Sequence, residues 1–137
     1  DVEAVFATSD KQAHEEVAKT IKSWCTMYNV VIMATAHLKK TNGIRPTIED
    51  LKENNRLEYE ANFVSLLYNE VGLKQEEAEM FWIHEGSDYK MPVIENRVAK
   101  NKVSSFKGTI FYEFLPELSI ANEVTEDEAR AYIARMA

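Results

Sequence analysis

Glycine is scarce in this chain of 137 residues: Gly43, Gly72, Gly86 and Gly108 are the whole set. None stands in the G-x-x-x-x-G-K-[ST] spacing that turns successive backbone N–H groups toward phosphates, so the sequence carries no P-loop. Cysteine is scarcer still. Cys25 is single, which excludes an internal disulfide and points to a reducing, cytoplasmic setting. Between Trp24 and Thr26 on a helical stretch, it reads as a buried inert thiol. No apolar run approaches the roughly 20 residues of a membrane span. The opening "DVEAVFATSDKQ" lacks the basic start and apolar stretch of a signal peptide, and it begins without methionine, so a piece of a longer protein is expected. Positive charge is also short. The net charge of -7 argues against a protein coated in nucleic acid, while leaving room for a local basic patch.

Other site patterns are missing too. His14, His37 and His84 do not pair with each other or with Cys25 at ligand spacing, so no metal site is expected. There is no G-x-S-x-G elbow. Asp50-Leu51-Lys52 matches the D-x-K half of a metal-dependent nuclease pattern, but no Pro-Asp precedes it on a hairpin.

What is present is enough apolar material for a core, 45% of residues. "SDKQAHEEVAKTIKSWCTMYNVV" places Ala13, Val17, Ala18, Ile21, Trp24, Cys25 and Tyr28 on one helical face. Ser9 or Asp10 suits its N-cap and Asn29 its stop. Residues 30–36 then read as a buried, parallel strand, apolar or small on both faces, which with the helix makes half of a βαβ unit. "TNGIR" is a loop, and "TIEDLKENN" offers one weak helical turn. "RLEYEANFVSLLYNE" leads from a short helix into a strand over residues 63–68. "EMFWIHEG" and "PVIENRVAKN" read as strands joined by the turn "SDYK". "GTIFYEFLPE" is a further strand, and only its Ile110, Tyr112, Phe114 face is wholly apolar. Thr125 and Glu128 stand at capping-box spacing ahead of a C-terminal helix.

Charge is unevenly spread. Arg97, Lys100, Lys102 and Lys107 follow one another with no acid between, whereas the stretch from Glu113 to Glu128 holds six acids and no base. Such runs are commonly solvated faces. Lys100 and Lys102, however, alternate on one side of a strand end, where two like charges make more sense facing an anion such as a phosphate. His37 ends the apolar run of residues 30–36. It is either a hydrogen-bonded histidine at the core's edge or a ligand contact, because open α/β sheets gather ligand groups at the C-terminal ends of their strands.

Three segments in order resemble the motor domain of DnaB-type hexameric replicative helicases, including the phage primase-helicases. "NVVIMATAHLKK" is similar to the family's strand that ends in Gln or His and runs into a DNA-facing loop. "RPTIEDLKENNRLEYEANFVSLLY" is similar to its R-P-x-x-x-D-L-R-E-S-G segment and following strand. "VAKNKVSSFKGTIFYEFLPE" is similar to its V-A-K-x-R-x-G-x-x-G-T segment. The resemblance covers roughly residues 10–124. It implies an α/β, RecA-like (P-loop NTPase-type) sheet flanked by helices, of which residues 1–124 are the C-terminal part without the P-loop strand, and residues 125–137 a C-terminal helix or tail.

The implied activity is ATP-dependent unwinding of DNA by a homo-hexameric ring on single-stranded DNA, with ATP and Mg2+ bound in the full-length protein. Primase or a helicase loader is a further candidate partner. By resemblance, His37 contacts the γ-phosphate, and Lys100 and Lys102 act on a neighbour's nucleotide. Lys39 and Lys40 begin one DNA loop, and Lys52 and Glu53 belong to a second. Asp1 is the candidate for the acid that holds magnesium through water. Lys102 stands where the family has arginine, and Asn54-Asn55 where it has Ser-Gly. Alone, the chain is expected to be inactive on ATP. The alternatives are a non-catalytic RecA-like module that docks on a helicase, another RecA-type ring ATPase, and a nuclease centred on Asp50 and Lys52. The 37–56 segment is locally basic, as a lining that grips phosphates would be.

Overall fold

The computed structural model describes residues 10–39 and 42–136, with the backbone alone at residues 10, 11 and 52–55. Helix α1 (Asp10–Tyr28) forms where the helical spacing places it. It stops at Asn29, which takes the left-handed conformation (φ 51°), and Val30 N–H closes the end on the Cys25 carbonyl. Ser9, one of the two cap candidates, lies outside the described residues.

A 3-10 helix (Ile48–Asn54) runs directly into α2 (Asn55–Glu60), and β1 (Phe63–Asn69) follows. A short helix, α3 (Glu70–Lys74), and a 3-10 turn (Gln75–Glu77) lead to β2 (Phe81–Trp82). Then come the long β3 (Met91–Asn101), β4 (Gly108–Leu115), β5 (Ile120–Glu123) and α4 (Glu126–Met136). The five strands form one sheet in the order β1-β3-β4-β5, with β2 on the start of β3, and every pairing is antiparallel.

The expected parallel strand over residues 30–36 is not formed. This segment is irregular and exposed, with Val31 at 97% and Met33 at 94%. Composition only makes a segment able to be a strand; a strand also needs a neighbour's ladder of N–H and C=O groups. Among the described residues none supplies it, because β1 pairs with β3 and the rest of the sheet closes through hairpins. The described fold is thus α/β with an antiparallel sheet flanked by helices.

Other differences are local. "EMFWIHEG" keeps only Phe81 and Trp82 as strand, since the chain turns at Glu85-Gly86, with Gly86 at φ 80° and Ser87 N–H bonded to the His84 carbonyl. The turn therefore starts ahead of "SDYK". Helix α3 and strand β5 were not expected from the pattern, both being too short to show a period.

The core gathers Met80, Val93, Phe111 and Tyr132, with Trp82, Val124 and Ala129 against it. On β4 the buried residue is Phe111, from the mixed face, while Ile110, Tyr112 and Phe114 stay half-buried. The mixed face can be covered because its acid is satisfied: Tyr132 on α4 donates its hydroxyl to Glu113 at 2.8 Å. Burial, and then that carboxylate, raise the Tyr132 pKa. The predicted capping box holds α4 in place, with Thr125 N–H donating to Glu128 at 2.8 Å and Glu128 N–H returning to Thr125 Oγ1.

Candidate functional site

The segment 42–46 is tied down by one arginine. Arg45 Nε donates to Glu95 Oε2 at 2.7 Å and a terminal nitrogen donates to Oε1 at 2.9 Å, the two-pronged fit of guanidinium to carboxylate. The guanidinium also lies 5.3 Å from the centre of the Tyr68 ring, and Tyr68 donates its hydroxyl to the Gly43 carbonyl. Gly43 stands at φ 81°, a conformation that side chains disfavour. The hydrogen bond that Arg45 donates to Glu95 raises the Arg45 pKa further, against burial, which lowers it.

The loop's base is held by Asp50. Its carboxylate accepts from Thr47 N–H at 2.7 Å and from the Thr47 hydroxyl, and its carbonyl accepts Lys39 N–H at 3.4 Å. Asp50 thereby spends Oδ2 on its own turn. Next to it, Leu38, Lys39 and Pro46 face Leu67, Tyr68, Asn69 and Leu73 across a mainly apolar groove of about 390 Å³. His37, one residue before this groove, is exposed. Lys39 is exposed as well. Lys40 lies outside the described residues, as do Asp1 and the side chains of Lys52 and Glu53.

Below the groove Glu70 is 2% exposed. Its carboxylate accepts from Lys74 Nζ at 2.6 Å, from Met80 N–H at 2.7 Å and from Glu79 N–H at 3.2 Å. Burial pushes the Glu70 carboxyl up, but the lysine and the two amides outweigh it and hold the group below its ordinary value. The cluster ties α3 to the backbone of Glu79 and Met80.

The second group of cations lies elsewhere. Lys100 pairs across the ladder with Val64, next to a bulge between Val64 and Ser65. Its ammonium donates to the carbonyls of Glu58 and Tyr59, the latter at 3.1 Å, and so closes the C-terminal end of α2. Burial first, and then repulsion from Lys102, lower the Lys100 pKa. Lys102 is exposed, its own N–H held by the Asn62 carbonyl at 2.8 Å, while Lys22 of α1 donates to the Asn62 side chain at 3.3 Å. Asn101 shapes the turn that follows: its Oδ1 accepts from Val103 and Ser104 N–H, and its Nδ2 donates to the Phe106 carbonyl.

His37 and Lys39 therefore sit by the Asn69 end of β1, and Lys100 and Lys102 by the Phe63 end. The structure does not bring the two groups together. Sequence reasoning missed the residues that position them, namely Glu95, Tyr68, Glu70 and Lys22. The one available signal was a charge inside an apolar strand, Glu95 within "PVIENRV".

Among the described residues no group of three or more His, Cys, Asp or Glu side chains is placed to hold a metal ion. No described helix is long and apolar enough to cross a membrane. Comparison with protein-family models, with curated proteins and with solved structures finds no match.

Proposed function

We propose that this chain is the C-terminal portion of the motor domain of an ATP-driven replicative DNA helicase, one subunit of a hexameric ring on single-stranded DNA. The observation that carries the reading is the placement of its cations at two ends of one strand, Lys39 beside Asn69 and Lys100 with Lys102 beside Phe63. In a head-to-tail ring a residue that answers to its own subunit's nucleotide and one that reaches a neighbour's lie on different sides of the subunit. In this reading His37 senses the γ-phosphate, and Lys100 and Lys102 act on the neighbour. Lys39, Lys40, Lys52 and Glu53 belong to the loops that hold the DNA backbone, which they grip with little base preference. Lysine at 102 delivers charge without the planar fork of arginine.

The test is DNA-stimulated ATP hydrolysis by the complete protein carrying Lys102→Ala. A fall of roughly 10³-fold is expected by analogy with loss of a trans-acting arginine, with an unchanged thermal melt. Wild-type turnover by this variant would count against the reading.

One observation favours a second reading. The Lys100 ammonium already closes α2, a purely structural task. That suits a non-catalytic RecA-like module that docks on a helicase. Such a module leaves the complete protein without ATP binding in equilibrium dialysis.

A further inference from the structure

Of the nine asparagines in the chain, only Asn42 precedes a glycine. Asn42 is exposed at φ 50°, and Gly43 follows at φ 81°. Two consecutive positive φ values belong to the type I′ turn, which Asn-Gly favours. The pair also carries a chemistry of its own. The side-chain amide carbon of Asn42 is within ring-closing reach of the next backbone nitrogen, and Gly43 has no Cβ to screen that nitrogen. Asparagine is thermolabile for this reason. Two anchors hold the turn. Tyr68 of β1 donates its hydroxyl to the Gly43 carbonyl, and Arg45, two residues on, is clamped by Glu95. Lys74 crosses at the same point, since a Cβ built on Gly43 would stand 3.4 Å from its Cε. Burial raises the Tyr68 pKa, so the hydroxyl keeps its proton, and its bond to Gly43, in mildly alkaline solution.

We propose that Asn42 is a site of spontaneous deamidation and isomerisation, and that the Tyr68–Gly43 hydrogen bond sets its rate. Gly43 N–H gives its proton to hydroxide, and the nitrogen attacks Asn42 Cγ. The new C–N bond closes a five-membered imide, while the bond from Cγ to Nδ2 breaks and the nitrogen leaves as ammonia, taking a proton from water. Water then opens the ring. Attack at Cγ leaves aspartate. Attack at the main-chain carbonyl leaves isoaspartate, whose backbone runs through the side chain and is one methylene longer. No oxidant, metal or nucleotide takes part. The turn opposes the first step, because ring closure needs the Asn42–Gly43 peptide to swing out of its left-handed conformation. Gly43 must first leave Tyr68, so that one bond meters the reaction. Either product adds a negative charge to a segment that carries His37, Lys39 and Arg45. The inference rests on the chemistry of the turn and is independent of the motor reading.

Peptide mapping by mass spectrometry tests it, on the chain aged in warm, mildly alkaline buffer, with each asparagine followed separately. The isoaspartate share is read by enzymatic methyl transfer from S-adenosylmethionine to the isomerised carboxylate. In the folded wild type Asn42 is expected to react first among the asparagines and to yield both aspartate and isoaspartate. Tyr68→Phe keeps the ring and removes only the hydroxyl. It is expected to speed the reaction at Asn42 by about fivefold, the share of one hydrogen bond, and to leave the other asparagines at their wild-type rates. Those other rates, with a thermal melt, show whether the variant stays folded. In urea, where the turn is gone, Asn42 is expected to react faster than in the folded chain. The proposal is overturned if Asn42 stays intact while other asparagines react, or if Tyr68→Phe leaves its rate unchanged. It is also overturned if Tyr68→Phe raises every asparagine alike, because release of the whole fold would then set the rate in place of this one bond.

Discussion

Glu95 is 3% exposed in the middle of β3, and its two oxygens are taken by one arginine from a loop 50 positions away in sequence. Removing Arg45 leaves a buried carboxylate without a partner, which costs far more than the pair contributes. Arg45→Met is expected to lower unfolding free energy by about 3 kcal/mol in urea titrations, and Arg45→Met with Glu95→Gln by clearly less. Equal losses would mean that Glu95 is not charged and buried in the folded chain.

Glu70 supplies a pH test. Its folded-state pKa lies below the ordinary 4.5, so as pH falls the unfolded chain takes up the proton first. The stability it contributes is full above 4.5 and is lost as acidification proceeds below that value. Thermal melts from pH 6 to pH 3 are expected to fall less steeply for Glu70→Gln than for wild type. Lys102 and Lys100, neighbours in sequence pattern, have different situations: one ammonium faces solvent, the other closes a helix. Charge type was legible in the sequence, but partner was not, because Lys100 meets α2 only through the fold.

Among the elements, residues 30–36 hold the sharpest contrast between pattern and structure. They have the composition of a buried strand and none of its burial. Val31→Ala is therefore expected to cost less than about 0.5 kcal/mol, as surface changes do. Val93→Ala, at 0% exposure, is expected to cost about 2 kcal/mol. Comparable losses by chemical denaturation would place residues 30–36 inside a core. An exposed run with high strand propensity and no charge is also a hazard for association between chains. Helix α4 behaves as its capping box requires, and Thr125→Ala is expected to destabilise by about 1 kcal/mol. Helix ends are legible because a cap acts within four residues. The turn at Glu85-Gly86, one step ahead of the expected site, depended on Trp82, whose indole donates to the Pro92 carbonyl at 3.1 Å and pulls β2 onto β3.

For the molecule as a whole, an overall acidic chain carries its cations at separate ends of one sheet. If Lys39 contacts a DNA backbone, affinity of the complete protein for oligo-dT falls linearly on a log–log salt plot. Lys39→Ala then lowers that slope by about 0.7, the share of one phosphate on a single strand. An unchanged slope in fluorescence anisotropy would remove Lys39 from the interface. The same spatial division of charge underlies the proposed trans contacts.

From the order of residues alone came the features that act over short range: α1 and its stop at Asn29, the strands expected over 63–68, 92–101 and 108–117 in their main extent, the capping box of α4, and the absence of a P-loop. Each depends on periodicity or on atoms within a turn of one another. Tertiary structure decided which expected strand found a neighbour, which face of β4 was covered, and which lysine was left to solvent. Those outcomes rest on ladders, ion pairs and packing between residues far apart in the chain, and a linear pattern does not encode who stands opposite whom.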